Sequence, residues 1–344
     1  MSNENAPLLG HHGSDNKITF WSSLRVTICS SYVNYLLIFV PISIFFSIIE
    51  SSATVVFTLN FIAIIPLAKL LGFATEEIAL RSGSTIGALL NATFGNAVEL
   101  ILGVIALKEG LIRVVQAAQT SCSLLAVTTL SLLVPAAFSV STPNEDTQES
   151  ILQLSQGVSI VLLIVYILYL FFQLKTHTFL YEDENDEEET PSTSLSFSII
   201  SLSVLACIVS IHAEYLVGAI EGVVKSWGIN ETFVGIILLP IVGNAAEHVS
   251  AVTFAMKDKM NLCIGIAISS SLQIGLLVTP VLVIAGWAIN QPMSLFFEDF
   301  ETVILFASVL IVNYLIQDGR SNWLEGILLL SCYVIISMAF YLYP

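Results

Sequence analysis

Two stretches of the chain repeat one pattern of glycine, asparagine and glutamate. Residues 87–99 read GALLNATFGNAVE and residues 235–247 read GIILLPIVGNAAE, so Gly-x7-Gly-Asn-Ala-x-Glu recurs at an offset of 148 residues. Both copies lie in long apolar stretches. Two-fold internal repeats with interrupted helices at matching positions are typical of the central site of membrane transporters. The repeat therefore predicts two matched segments that meet at one site.

Each copy places an amide and a carboxylate on the same helix face. Asn96 precedes Glu99 by three residues, and Asn244 precedes Glu247 by the same spacing. A glutamate at mid-bilayer depth costs several kcal/mol if charged and unpaired, so it is a functional candidate by default. Two close carboxylates couple their protonation. The pair can therefore hold either a cation or protons.

Backbone oxygens extend this ligand set. Gly95 and Gly243 omit a side chain just before each asparagine, so a ligand can approach the backbone closely. Pro240 lies inside the second copy and frees a carbonyl one turn earlier, near Ile236. An all-oxygen site suits a hard divalent cation such as Ca²⁺. Soft metals would need thiolates or several imidazoles, which the pattern lacks.

Composition points to a polytopic membrane protein. Of 344 residues, 56% are hydrophobic and 11% are charged, against about a quarter charged in soluble domains. These values exclude a soluble enzyme, a disordered protein and a nucleic-acid binder. The net charge of −16 suits a cation as partner. We predict about ten transmembrane helices, roughly at 32–49, 54–71, 83–107, 116–138, 151–174, 196–224, 231–256, 262–288, 300–317 and 323–342.

The chain divides into five regions. These are a cytosolic tail 1–30, a leader helix 31–53, a first repeat 54–176, an acidic cytosolic linker 177–194 and a second repeat 195–344. The linker carries seven acids in eight positions, either as a solvated linker or as a cation collector or regulatory helix at a pore mouth. They are Glu182, Asp183, Glu184, Asp186, Glu187, Glu188 and Glu189.

Other polar residues in the spans are secondary candidates. Gln273 and Ser270 follow the second motif, and Gln273 offers another amide oxygen to the site. His248, Glu214 and His212 are candidates for a proton path. For His248 the alternative is a packed histidine with a backbone partner, and for Glu214 an interfacial ion pair.

The repeats resemble the paired signature of the cation/proton exchanger family, within the cation/calcium exchanger superfamily. NFIAIIPLAKLLGFATEEIALR at 60–81, VLLIVYILYLFFQLKTH at 161–177 and VNYLIQDGRSNWLEG at 312–326 also look like that family. The resemblance covers about 20–344. It is strongest to fungal and plant vacuolar calcium/proton exchangers.

This resemblance implies a secondary transporter and not an enzyme. It implies an inverted-repeat fold of eleven helices in the vacuolar membrane, importing cytosolic Ca²⁺ in exchange for protons, without a cofactor. Carried over by position, Glu99 and Glu247 alternately bind Ca²⁺ and protons, and Asn96 and Asn244 assist them. A homo-oligomer is left open.

The first repeat is one helix short. The 76 residues from Glu99 to Lys175 hold two further spans, whereas the 97 residues after Glu247 hold three. Span 116–138 replaces either the fourth or the fifth helix of the family. Lysine and arginine placement puts the N-terminal tail and the acidic linker on the same side, but five intervening spans separate them. We predict a shortened gene model, a splice form or a re-entrant segment near 110–120.

Three hypotheses for function follow. The leading one is a Ca²⁺/H⁺ antiporter. The alternatives are a sodium-coupled cation exchanger and a non-transporting short form that regulates or partners the full-length exchanger.

Overall fold

The computed structural model describes residues 18–110, 133–139, 147–176, 190–258, 260–316 and 321–343. Within these ranges every regular element is a helix, so the predicted all-α class is confirmed. The N-terminal 17 residues, most of the predicted span 116–138 and the acidic run 182–189 lie outside the described residues.

Thirteen α-helices are numbered here in chain order, and residues 133–139 are also helical. They are α1 Phe20–Cys29, α2 Phe39–Ile48, α3 Ala53–Phe94, α4 Ala97–Lys108, α5 Thr147–Phe171, α6 Leu195–Gly218, α7 Ile220–Trp227, α8 Leu239–Gly243, α9 Ala245–Met256, α10 Met260–Gln273, α11 Thr279–Ala288, α12 Asp299–Ile316 and α13 Trp323–Leu342. A 3₁₀-helix, Tyr32–Ile38, precedes α2. Three π-helical segments follow α5, precede α8 and join α10 to α11: Phe172–Thr176, Val234–Leu238 and Ile274–Val278.

Five helical stretches of the described residues are long and apolar enough to cross a membrane. They are Ala53–Ser82, Gln148–Thr176, Leu195–Gly218, Cys263–Ala288 and Trp323–Leu342. Two bent pairs could each form a further broken span. Phe20–Cys29 meets Tyr32–Ile48 at 101°, and Ile220–Trp227 meets Glu231–Gly243 at 117°. The chain is therefore a multi-pass membrane protein.

Helix α3 reverses direction within its length. A Cβ at Gly87 would lie 2.7 Å from the carbonyl oxygen of Ala79, eight residues earlier. In a straight helix eight residues rise about 12 Å, so the chain must fold back between these positions. The close approach leaves room only for hydrogen at Gly87. The reversal separates the predicted second and third spans.

The span Ala53–Ser82 and α6 run antiparallel. At one end Trp227 Nε1 donates to Thr54 Oγ1 at 3.1 Å, just beyond the end of α6. At the other end Glu77 accepts hydrogen bonds from Ser192 and Thr193, just before α6 begins. Between these ends the two helices form the most extensive helix pair of the described residues. Their contact is apolar and contains the buried side chains Leu67, Leu71, Val209 and Leu216.

The N-terminal helix lies beside the end of the acidic linker. The amide of Ser194 donates to Ser23 Oγ at 3.1 Å. Residues 23 and 194 therefore lie on one side of the membrane. The chain between them must cross an even number of times, which agrees with the sides predicted from the charges.

Candidate functional site

Both copies of the repeated motif break their helix at the same asparagine. Helix α3 ends at Phe94 and α4 begins at Ala97, with Asn96 between them at φ −100°, ψ 21°. Helix α8 ends at Gly243 and α9 begins at Ala245, with Asn244 at φ −86°, ψ 18°. The two breaks match in position and in backbone conformation. The interrupted helices that the repeat predicts are present.

Each glutamate lies in the first turn of the helix after its break. Glu99 is the third residue of α4, and Glu247 is the third residue of α9. Backbone N–H groups without intrahelical acceptors and the helix dipole both favour a negative charge at this position. Each carboxylate therefore lies near the positive end of a half-helix, where the helix dipole stabilises its negative charge.

The two repeats meet at Glu99 and Gly243. A Cβ built at Gly243 would lie 3.4 Å from both Cγ and Oε1 of Glu99. A side chain added at the glycine of the second motif would thus contact the first carboxylate. Glu99 and Glu247 are near enough to interact electrostatically. The structure brings together the two carboxylates that the sequence predicted as a pair.

Three carboxylate oxygens of this pair are buried without a hydrogen-bond partner among the described residues. They are both oxygens of Glu99 and Oε2 of Glu247. Unsatisfied buried polar atoms are costly, so they indicate a ligand that satisfies them, such as a proton or a cation. No cluster of three or more His, Cys, Asp or Glu occurs in the described part of the chain. The available donors are therefore mainly carboxylate and amide oxygens.

The asparagines are held by their own hydrogen bonds. Asn96 Nδ2 donates to Gln273 Oε1 at 2.6 Å, which links α4 to the end of α10. Asn244 Nδ2 donates to the carbonyl of Pro240 at 3.0 Å. The amide oxygen of Gln273, which the sequence predicts as part of the site, is therefore connected to it by the hydrogen bond from Asn96. Ser270 is half-buried on α10, three residues before Gln273 and on its face.

Two π-helical segments lie next to these groups. Val234–Leu238 precedes Pro240, and Ile274–Val278 directly follows Gln273. Single π-helical turns inside α-helices frequently occur at functional sites because they change the direction of backbone groups. The carbonyl of Ile237, in the first segment, accepts from Tyr333 Oη at 3.5 Å. The backbone around Ile236 is π-helical, and the freed carbonyl that Pro240 predicts there stays a prediction.

The three candidates for a proton path differ in their exposure. His212 is fully buried, with Nδ1 2.8 Å from the carbonyl oxygen of Ile208 and Nε2 3.3 Å from that of Val40. Glu214 and His248 are exposed. None of the three hydrogen-bonds to Glu99 or Glu247. Their part in a proton path stays a prediction.

Lys69 is a site neighbour that sequence analysis missed. The predicted span 54–71 placed it at the cytosolic end, but the helical span runs to Ser82, so Lys69 lies near its middle. Its Nζ donates to Ser250 Oγ at 2.9 Å and it interacts electrostatically with Glu247. The sequence feature that could have revealed Lys69 is its position in an apolar run, only three residues after Pro66.

Glu77 is the second residue that the sequence did not reveal. It is 4% exposed and accepts from the backbone amides and hydroxyls of Ser192 and Thr193. Arg81 pairs with it at 3.4 Å and also donates to the carbonyl of Thr193. This group, named here the linker clasp, fixes the end of the acidic linker to the end of the Ala53–Ser82 span.

Solved structures confirm the fold. The chain is similar to the Ca²⁺/H⁺ antiporter protein YfkE, with a TM-score of 0.75 and 33% identity over 89% of this chain and 98% of that one. It also shares its fold with the H⁺/Ca²⁺ exchanger CAX, with a TM-score of 0.61 and 17% identity over 90% of this chain and 91% of that one.

Sequence comparisons agree with the structural ones. The chain is 45% identical to a vacuolar calcium ion transporter of Schizosaccharomyces pombe, over 99% of this chain and 93% of the relative. It is 42% identical to a Ca²⁺/H⁺ antiporter of Aphanothece halophytica, over 90% and 96%. The profile of the sodium/calcium exchanger protein family matches residues 52–122 and 197–342, which contain the two motifs. The chain belongs to the sodium/calcium exchanger protein family.

Proposed function

We propose that this chain is a secondary antiporter that moves Ca²⁺ into the vacuole in exchange for protons. One observation carries the proposal: the buried Glu99 and Glu247 carboxylates have three oxygens that no described residue satisfies. Oxygen donors suit Ca²⁺, and the same oxygens accept protons. The relatives named as vacuolar calcium transporters and Ca²⁺/H⁺ antiporters support the same choice of ions and membrane.

Charge balance explains how such a pair couples the two ions. Two ionised carboxylates with one Ca²⁺ carry no net charge, and neither do two protonated carboxyls. The empty, doubly charged pair is costly in a low-dielectric site, because desolvation of an uncompensated charge costs several kcal/mol. The carrier therefore changes conformation readily when loaded with either ion and reluctantly when empty. Because of this difference, transport of Ca²⁺ in one direction requires transport of protons in the other.

The other residues hold the pair in place. Gly243 gives Glu99 its position, and the Asn96–Gln273 hydrogen bond fixes α4 against α10. The half-helices α4 and α9 present their N-termini to the carboxylates. These arrangements need no cofactor. Each uses groups that the chain itself supplies.

Transport into vesicles tests the proposal. Purified protein is reconstituted, and Ca²⁺ uptake is followed under an imposed pH gradient and, separately, under an imposed sodium gradient. We expect uptake with the pH gradient and none with sodium alone. Uptake driven by sodium instead would favour the sodium-coupled alternative.

A non-transporting short form is the second candidate. The alignment with the S. pombe relative spans 385 positions, whereas this chain has 344 residues, so at least 41 positions (385 minus 344) are unfilled here. This form would express stably and show no uptake under the pH gradient. Co-expression with a full-length relative would then change that relative's uptake.

A further inference from the structure

Lys69 presents its ammonium to the second half of the site. It lies near the middle of the Ala53–Ser82 span, and its Nζ donates to Ser250 Oγ at 2.9 Å. A lysine at this depth is costly unless a partner compensates it, and such residues mark ion pathways. The hydrogen bond joins α3 to α9 across 181 residues of sequence.

Ser250 holds the ammonium beside a carboxylate of the pair. It follows Glu247 by three residues on α9, so both side chains lie on one face of that helix. Lys69 interacts electrostatically with Glu247. Glu247 Oε2 has no hydrogen-bond partner among the described residues, so the ammonium does not bond to this oxygen. The hydrogen bond to Ser250 thus links Lys69 to the turn of α9 that carries Glu247.

The face of α3 that carries Lys69 has room for the side chain to move. A Cβ at Gly72, three residues further along, would have no heavy atom within 4 Å. Glu76, one turn beyond Gly72, is exposed. The long, flexible lysine side chain can therefore shift away when another cation arrives near Glu247.

We propose that Lys69 is a positioning residue of the exchange site: a tethered counter-cation that partly compensates Glu247 when no ion is bound and opposes an arriving Ca²⁺. Ser250 limits how strongly Lys69 opposes Ca²⁺ binding, because its hydrogen bond keeps the ammonium away from the carboxylate of Glu247. The inference rests on the proposed function for the identity of the cation. It adds a residue outside the repeated motifs that sets the apparent affinity for Ca²⁺.

We expect substitutions of Lys69 and Ser250 to change the affinity for Ca²⁺ in opposite directions. Lys69→Gln removes the opposing charge, so Ca²⁺ should bind about tenfold more tightly. Lys69→Arg keeps the charge and should stay within about twofold of the original protein. Ser250→Ala releases the ammonium to pair with Glu247, so Ca²⁺ should bind about threefold more weakly. Lys225→Gln is the matched control, because Lys225 forms only an exposed pair with Glu221 at 3.8 Å.

The experiment is calorimetric titration of Ca²⁺ into the purified full-length chain and its four variants, together with the KM and Vmax of uptake. The expected result is an affinity change of opposite sign in Lys69→Gln and Ser250→Ala, with KM following it and Lys69→Arg restoring the original value. Equal affinities in the original chain and Lys69→Gln, or a loss of Vmax alone, would overturn the inference and leave a purely structural role. If Lys69→Gln does not fold, an unchanged Ca²⁺ affinity in Ser250→Ala is sufficient to overturn the inference.

Failure of the proposed function gives a different pattern. Affinity changes of the expected signs without pH-driven uptake would keep the role of Lys69 and reject antiport. Uptake with equal affinities would reject the role of Lys69 alone. Absence of Ca²⁺ binding in the original chain would reject both.

Discussion

The carboxylate of Glu99 lies against Gly243, so the first repeat places its acid directly on the glycine of the second. A Cβ at Gly243 would be 3.4 Å from Glu99 Oε1. The motif glycines are therefore more than helix breakers. In the second repeat, the absent side chain shapes the space around the opposite carboxylate. The two motifs meet in one site because the glycine of the second lies against the Glu99 carboxylate of the first.

Gly243→Ala should impair transport more than stability. The added methyl group would lie in contact with the Glu99 carboxylate and narrow the space in which a cation binds. We expect Ca²⁺ uptake to fall about tenfold with little change in the melting temperature. Gly265→Ala on α10 is the control, since a Cβ there meets no atom within 4 Å. Uptake in Gly243→Ala equal to that of the control would show that this space is not used.

Asn96 and Gln273 should be energetically coupled. Each single alanine variant removes one side of the 2.6 Å hydrogen bond that links α4 to α10, and the double variant removes both. We expect the double variant to be less damaging than the sum of the single variants, by about 1–3 kcal/mol. Chemical unfolding of the purified variants measures this difference. Additive effects would mean that the hydrogen bond does not stabilise the site.

The linker clasp should stabilise the protein through Glu77. Glu77→Ala removes the acceptor of the hydrogen bonds from Ser192 and Thr193 and leaves Arg81 without its carboxylate. The expected loss is about 3 kcal/mol, because the group is buried and its hydrogen bonds are charge-assisted. Faster proteolysis between residues 177 and 194 should accompany the loss. An exposed glutamate elsewhere serves as control, since Glu109→Ala should be nearly neutral. Equal proteolysis in both variants would contradict the role of the clasp.

A longer form of this chain should exist, or the chain should have the re-entrant segment predicted near residues 110–120. The contact between Ser23 and Ser194 requires an even number of crossings between them, whereas hydropathy predicts five spans there, the leader helix and four in the first repeat. Sequencing of full-length transcripts should show about 30 further residues at Ala117–Ala118, enough for one span. If it does not, single cysteines at the exposed positions Ser22 and Thr190 should still be labelled from the same face. Labelling from opposite faces would contradict the contact.

Sequence patterns predicted the helical class, the matched breaks and the carboxylate pair because each depends on local spacing. The motif Gly-Asn-Ala-x-Glu sets the spacing between each asparagine and its glutamate, so both pairs could be recognised without tertiary information. Lys69 could not, because its significance depends on Ser250, which is 181 residues away. Glu77 could not either, because the backbone amides that bond to it follow 115 and 116 residues later. A single polar side chain whose partner is distant in the chain leaves no periodic pattern in the sequence.

Ca²⁺ uptake into reconstituted vesicles under a pH gradient, compared between the original chain, Glu99→Gln and Glu247→Gln, tests the central claim most directly. Glu221→Gln, an exposed glutamate whose side chain is 67% accessible, serves as the matched control. The account predicts that uptake is abolished in each motif variant, because a neutral amide neither balances Ca²⁺ nor exchanges a proton, and is retained in the control. Uptake that persists in both motif variants, or that does not depend on the pH gradient, would contradict it.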